Sequence, residues 1–122
     1  MTTAILVFVG GGTGSLLRYG LGRGLSVLLP GFPLGTIFAN TLGAFLIGLF
    51  TVLFIDRNLL GSPYREMLII GFLGGLTTFS SFCYDSYGLY AAGRWLPLAA
   101  YLGANLVAGF ALFAAGRAAG NL

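Results

Sequence analysis

The chain has 122 residues, 57% of them hydrophobic and only 7% charged, with six basic and three acidic side chains and no histidine. Soluble domains carry about 25% charged residues, so the composition excludes an ordinary soluble domain. A net charge of +3 without a basic cluster excludes a nucleic-acid binder. The single cysteine, Cys83, leaves no disulfide framework and no thiolate metal spacing.

A membrane helix needs about 20 apolar residues. The chain therefore reads as one all-α integral membrane domain over 1–122, with four transmembrane helices at about 3–29, 34–55, 67–90 and 98–115. No basic n-region opens it, so no cleaved signal is expected.

The first helix begins with plain apolar residues and reaches Gly10-Gly11-Gly12-Thr13-Gly14-Ser15, then Arg18. Gly10 and Gly14 have small-xxx-small spacing, which lets helix backbones approach closely, and Gly20 and Gly24 repeat it. Arg18 has two readings: a side chain snorkelling to an interface, or a donor to a loop or a polar vestibule. Pro30-Gly31-Phe32-Pro33 is a turn. The second helix is uncharged, and places Thr36 and Asn40 on one face at i, i+4. A lone asparagine among apolar residues is costly to leave unpaired. It can glue helices through a hydrogen bond or offer its amide N–H groups to an anion.

A polar loop leads to the third helix. Here Gly71-Phe72-Leu73-Gly74-Gly75-Leu76-Thr77-Thr78-Phe79-Ser80-Ser81-Phe82 combines three glycines with two β-branched threonines. That is a poor recipe for a regular helix, and a break is expected near Gly74. In lipid a broken helix survives only when buried in protein or lining a polar cavity. Its freed carbonyls and helix ends can bind ions. Phe79 and Phe82 lie at i, i+3, and aromatic rings have positive edges that can meet an anion. Asp85 reads either as an intramembrane functional acid or as an interfacial acid at the helix end. Trp95 marks an interface before the fourth helix. There Tyr101, Asn105 and Gly109 form a partly polar stripe.

Four crossings put Arg57, Arg65 and Arg117 on one side and Arg18, Arg23 and Arg94 on the other. Three against three leaves no positive-inside bias. Both orientations, and hence an antiparallel homodimer, become accessible.

Three stretches in order resemble the small bacterial fluoride channels of the Fluc (CrcB) family over nearly the whole chain. They are Gly10–Ser15 with Arg18; Gly35-Thr36 with Asn40, Gly43 and Phe45; and Gly71–Phe82. The resemblance implies passive, selective fluoride export across the bacterial cytoplasmic membrane by an antiparallel dual-topology homodimer embedded in lipid. It implies a pore lined by Asn40, Phe79, Phe82, Ser81, Tyr101 and Thr36. It also implies a structural sodium ion held by the backbone carbonyls of Gly74 and Thr77 from both subunits. Arg18, Asn105 and Asp85 take structural or vestibule places. Three positions depart from the family pattern: Ser81 stands for threonine, Asp85 for glutamate and Gly109 for serine.

A proton-coupled multidrug transporter would need a carboxylate early in the chain, and none precedes Asp56. A purely structural subunit gives no reason for the hydroxyl-rich break beside paired phenylalanines. No nucleophile–base set points to an enzyme.

Overall fold

Two left-handed glycines, Gly31 (φ 80°) and Gly93 (φ 69°), turn the chain where a side chain would be strained. Between such turns run four helices, each long and apolar enough to cross a membrane: α1 Thr2–Leu25, α2 Leu34–Asp56, α3 Tyr64–Ala91 and α4 Trp95–Gly120. The computed structural model describes every residue, Met1–Leu122, and contains no strand. Helix α1 ends at Leu25, short of Leu29, because residues 26–32 form irregular turns before Pro33.

The helices pair as α1 with the first half of α3, and α2 with α4. Glycine makes both contacts possible. A Cβ on Gly14 would overlap the Phe72 carbonyl oxygen, and one on Gly75 would overlap the Gly11 carbonyl oxygen. In the other pair, a Cβ on Gly48 would strike the Phe113 carbonyl and one on Gly116 the Phe45 carbonyl. Small residues at these crossings let backbones touch, which is how helices gain van der Waals contact without a hydrophobic drive between them. Gly20 and Gly24 repeat the spacing in the sequence but touch no neighbour.

Ala39, Leu73 and Leu76 form the buried centre, packed by Leu42, Leu46 and Phe72. Elsewhere the outer faces carry exposed large apolar side chains such as Phe8, Val107 and Phe110. Surfaces of this kind call for lipid or another protein against them. Three helices contain a widened π-helical segment: Thr51–Asp56 in α2, Met67–Leu73 in α3 and Ala104–Ala108 in α4.

The helical run of α3 is interrupted at Thr77 and Thr78, whose backbones are extended. The interruption lies three residues beyond Gly74, where the glycines had suggested it. Gly74 and Gly75 are helical, and Gly75 serves the close approach to α1. Phe79–Ala91 then starts a new α-helix with Thr78 as its N-cap, the Ser81 N–H donating to Thr78 Oγ1 at 3.1 Å.

Candidate functional site

Interrupting a helix strips its last carbonyls and its next amides of their i, i+4 partners. At Thr77–Thr78 the replacements come from α1 and α2, and α4 braces the α2 residue that supplies them. From α1, Arg18 Nε donates to the Gly75 carbonyl at 3.1 Å. From α2, the Asn40 amide pairs with both backbone groups of Thr78. The Thr78 N–H donates to Asn40 Oδ1 at 2.8 Å, and Asn40 Nδ2 donates to the Thr78 carbonyl at 3.1 Å. From α4, Asn105 Oδ1 accepts the second Asn40 N–H at 2.9 Å, and Asn105 Nδ2 donates to the Tyr101 carbonyl at 3.0 Å. Backbone chemistry fixes both amide orientations, since an N–H can only donate and a C=O can only accept. Helix α2 comes this close because Gly43 faces Thr77, where a Cβ would overlap the threonine methyl.

The interruption opens on a groove of about 500 Å³. Asn40, Asn105, Thr77, Thr78, Phe79 and Phe82 line it, with Gly74 at its edge and aliphatic side chains completing the wall. No charged residue lines it. The Phe79 and Phe82 rings lie 5.7 Å apart, tilted by 31°. Phe82 in turn stacks on Tyr101 at 5.7 Å and 23°. Phe79 is 75% exposed, which leaves one flank of the groove uncovered by this chain.

Besides the Gly75 carbonyl that Arg18 takes up, the carbonyls of Gly74 and Thr77 lose their helical donors. The Thr78 N–H, which a continuous helix would give to the Gly74 carbonyl, goes to Asn40. The Ser81 N–H, the corresponding donor for Thr77, goes to Thr78 Oγ1. Side-chain ligands do not gather anywhere: no three His, Cys, Asp or Glu residues converge. The oxygens at the interruption are therefore neutral ones, backbone carbonyls and the hydroxyls of Thr77, Thr78 and Ser80. Gly74 is exposed, with open space where a side chain would stand.

A second polar cluster lies beside the first. Asp85 Oδ2 accepts from Thr36 Oγ1 at 2.9 Å and from Tyr101 Oη at 2.8 Å, tying α2, α3 and α4 together. Tyr101 is fully buried. Asp85 also faces a separate recess of about 640 Å³, shared with Arg94. Of the residues singled out in the sequence, Asn40, Phe79, Phe82, Gly74, Thr77 and Asn105 share the groove. Thr36 and Tyr101 belong to the Asp85 cluster, and Ser81 contributes its backbone N–H to the Thr78 cap. Arg18 reaches the helix end and edges a shallow recess with Arg23 and Thr36. Thr78 is the residue that sequence reasoning under-weighted. Its signal was present as an N-cap threonine three residues before Ser81.

Comparison with known proteins adds a second line. The family model for CrcB-like protein, Camphor Resistance (CrcB), matches residues 5–117. A fluoride-specific ion channel FluC from Hydrogenobaculum sp. is 42% identical over 118 residues, covering 97% of each chain. The protein of the same name from Nitratidesulfovibrio vulgaris is 40% identical over 123 residues, covering 100% of this chain and 99% of its own. The one from Rhizobium leguminosarum bv. trifolii is 42% identical over 119 residues, covering 97% and 95%.

Proposed function

The chain belongs to the CrcB family, and on that premise we propose that it is a fluoride-specific ion channel, a multi-pass protein of the bacterial cytoplasmic membrane that lets fluoride leave the cell passively. The observation that carries this reading is the neutral groove at the α3 interruption, where two asparagine amides, threonine groups and two phenylalanine rings meet without one charged side chain.

Fluoride is small and strongly hydrated. A pore for it must replace water with close donors and still release the ion. Amide N–H groups and ring edges attract an anion without the depth of a full positive charge. A wall without lysine or arginine favours a weak, multi-site path over a trap.

We read the working form as an antiparallel homodimer of dual topology. The balanced arginines remove the usual orientation bias, and the exposed Phe79 and open flank of the groove favour a wall completed by a second copy. A structural sodium ion fits the same picture. The carbonyls of Gly74 and Thr77 would hold it, two from each subunit, since both have lost their helical donors. When bound, the ion would supply fixed positive potential near an anion route. Arg18 and Asn40 satisfy part of the backbone around the interruption, and Gly74 and Thr77 both line the groove.

The test is efflux from liposomes holding the purified protein, with fluoride and chloride followed in parallel by ion-selective electrodes. Fast fluoride release without chloride release is the expected result. Release of neither ion from folded protein refutes the reading.

A further inference from the structure

Asn40 has two amide protons, and both are spent inside the chain: one on the Thr78 carbonyl, one on Asn105 Oδ1. An anion that uses Asn40 as a donor must therefore displace an acceptor. The Thr78 carbonyl is backbone, held in place by its own N–H on Asn40 Oδ1. Asn105 Oδ1 is the terminal atom of a half-buried side chain that lines the groove, and is free to rotate at the loss of one bond, to the Tyr101 carbonyl. We infer that Asn105 is a latch, its Oδ1 holding the Asn40 N–H that an entering fluoride takes, and that it sets which anions can enter. This deepens the fluoride reading and rests on it.

The chemistry favours exchange with fluoride and disfavours it with chloride. Hydrogen bonds to an ionised acceptor are roughly twice as strong as those between neutral groups, so a compact anion can win the proton from an amide oxygen. Chloride is larger and a poorer acceptor, and gains less from the same N–H. In the absence of an anion the latch closes again and no buried donor is left unpaired, which matters where water is scarce.

The test uses the full chain in lipid nanodiscs, labelled with 15N-asparagine, and follows the Asn40 side-chain amide during titration with sodium fluoride and sodium chloride. Wild type should show one Asn40 proton moving on fluoride addition and none on chloride. Asn105→Leu removes the competing oxygen at similar volume, and the fluoride midpoint should fall about fivefold, the worth of one neutral hydrogen bond. Asn105→Ala should move it in the same direction, which covers a misfit of leucine. Asn105→Asp keeps an acceptor on Asn40 and adds a negative charge, and should abolish the fluoride response. An unchanged or higher midpoint in both Asn105→Leu and Asn105→Ala overturns the latch. Wild-type liposomes run alongside separate the two readings. Fluoride efflux with an unresponsive Asn40 amide ends the latch alone. A responsive amide that obeys the variants without efflux ends the channel reading alone.

Discussion

Asn40 stands in for a missing stretch of helix by pairing with both backbone groups of Thr78, at 2.8 and 3.1 Å. A side-chain amide has the donor and acceptor of a peptide group, so one residue on α2 satisfies both the N–H and the C=O that the interruption would orphan.

Asn40→Asp should therefore damage the protein in two ways. The carboxylate can still accept from Thr78 but cannot donate to its carbonyl or to Asn105, and it sets a negative charge in an otherwise neutral groove. Fluoride efflux is expected to fall to background. Lost donors and facing oxygens should lower stability by about 2–3 kcal/mol, read as reduced resistance to thermal unfolding in detergent.

Phe82 sits between two aromatic neighbours, Phe79 and Tyr101, each with its ring centre 5.7 Å away. Replacing it with isoleucine keeps apolar volume and removes the ring edges. Stability should drop by about 1–3 kcal/mol, the worth of two aromatic pairs, while fluoride efflux should fall by an order of magnitude or more. Flux that merely tracks stability across Phe82→Ile, Phe82→Leu and Phe82→Tyr would assign the ring to packing.

Arg18 caps the end of the first half of α3 through the Gly75 carbonyl. Arg18→Leu should cost about 1.5–3 kcal/mol, the range for a hydrogen bond to a charged group, and Arg18→Gln, which keeps a donor, should recover part of it. Thermal unfolding of the purified protein checks this. Equal loss in both variants would mean that charge, and not the bond to Gly75, is what counts.

At Gly14 a methyl group would press on the Phe72 carbonyl, whereas at Gly20 it would meet nothing. Overpacking costs about 1–3 kcal/mol, so Gly14→Ala should destabilise strongly while Gly20→Ala should stay neutral or stabilise slightly through better helix propensity. The pair is read in one unfolding experiment.

Sodium withdrawal examines the carbonyls of Gly74 and Thr77. Reconstitution with N-methyl-D-glucamine in place of sodium should lower fluoride efflux, and returning sodium should restore it.

Four apolar segments with short turns can be read directly along the chain, and so can the unusual company that Thr77, Thr78, Phe79 and Phe82 keep. Distance along the chain hides the rest. The glycines at 74 and 75 looked like the break itself, yet Gly75 is small because α1 lies against it, a partner some 60 residues away in sequence. Asn40 showed a polar group in need of a partner and left its partner open. Thr78, 38 positions later, supplies it. For Asp85, position alone could not distinguish an interfacial acid from an interior one. Its two neutral donors, Thr36 and Tyr101, come from different helices and meet only on folding.

The π-helical segment at Ala104–Ala108 lies between the part of α4 that turns Tyr101 toward Asp85 and the part that sets Gly116 against α2. Each residue in an α-helix advances the side chains by about 100°, and a π-turn absorbs one extra residue without lengthening the path in proportion. The segment thus acts as an expansion joint, keeping the two parts of the helix in phase although one more residue lies between them. Deleting a single residue in the regular turns that follow from Gly109, where no such slack exists, would swing everything after it by about 100°. Arg117 would then leave Asp56, its partner at 3.2 Å, and Gly116 would leave the Phe45 carbonyl. The chain can therefore lose a residue within this segment at less cost than within the regular turns beside it.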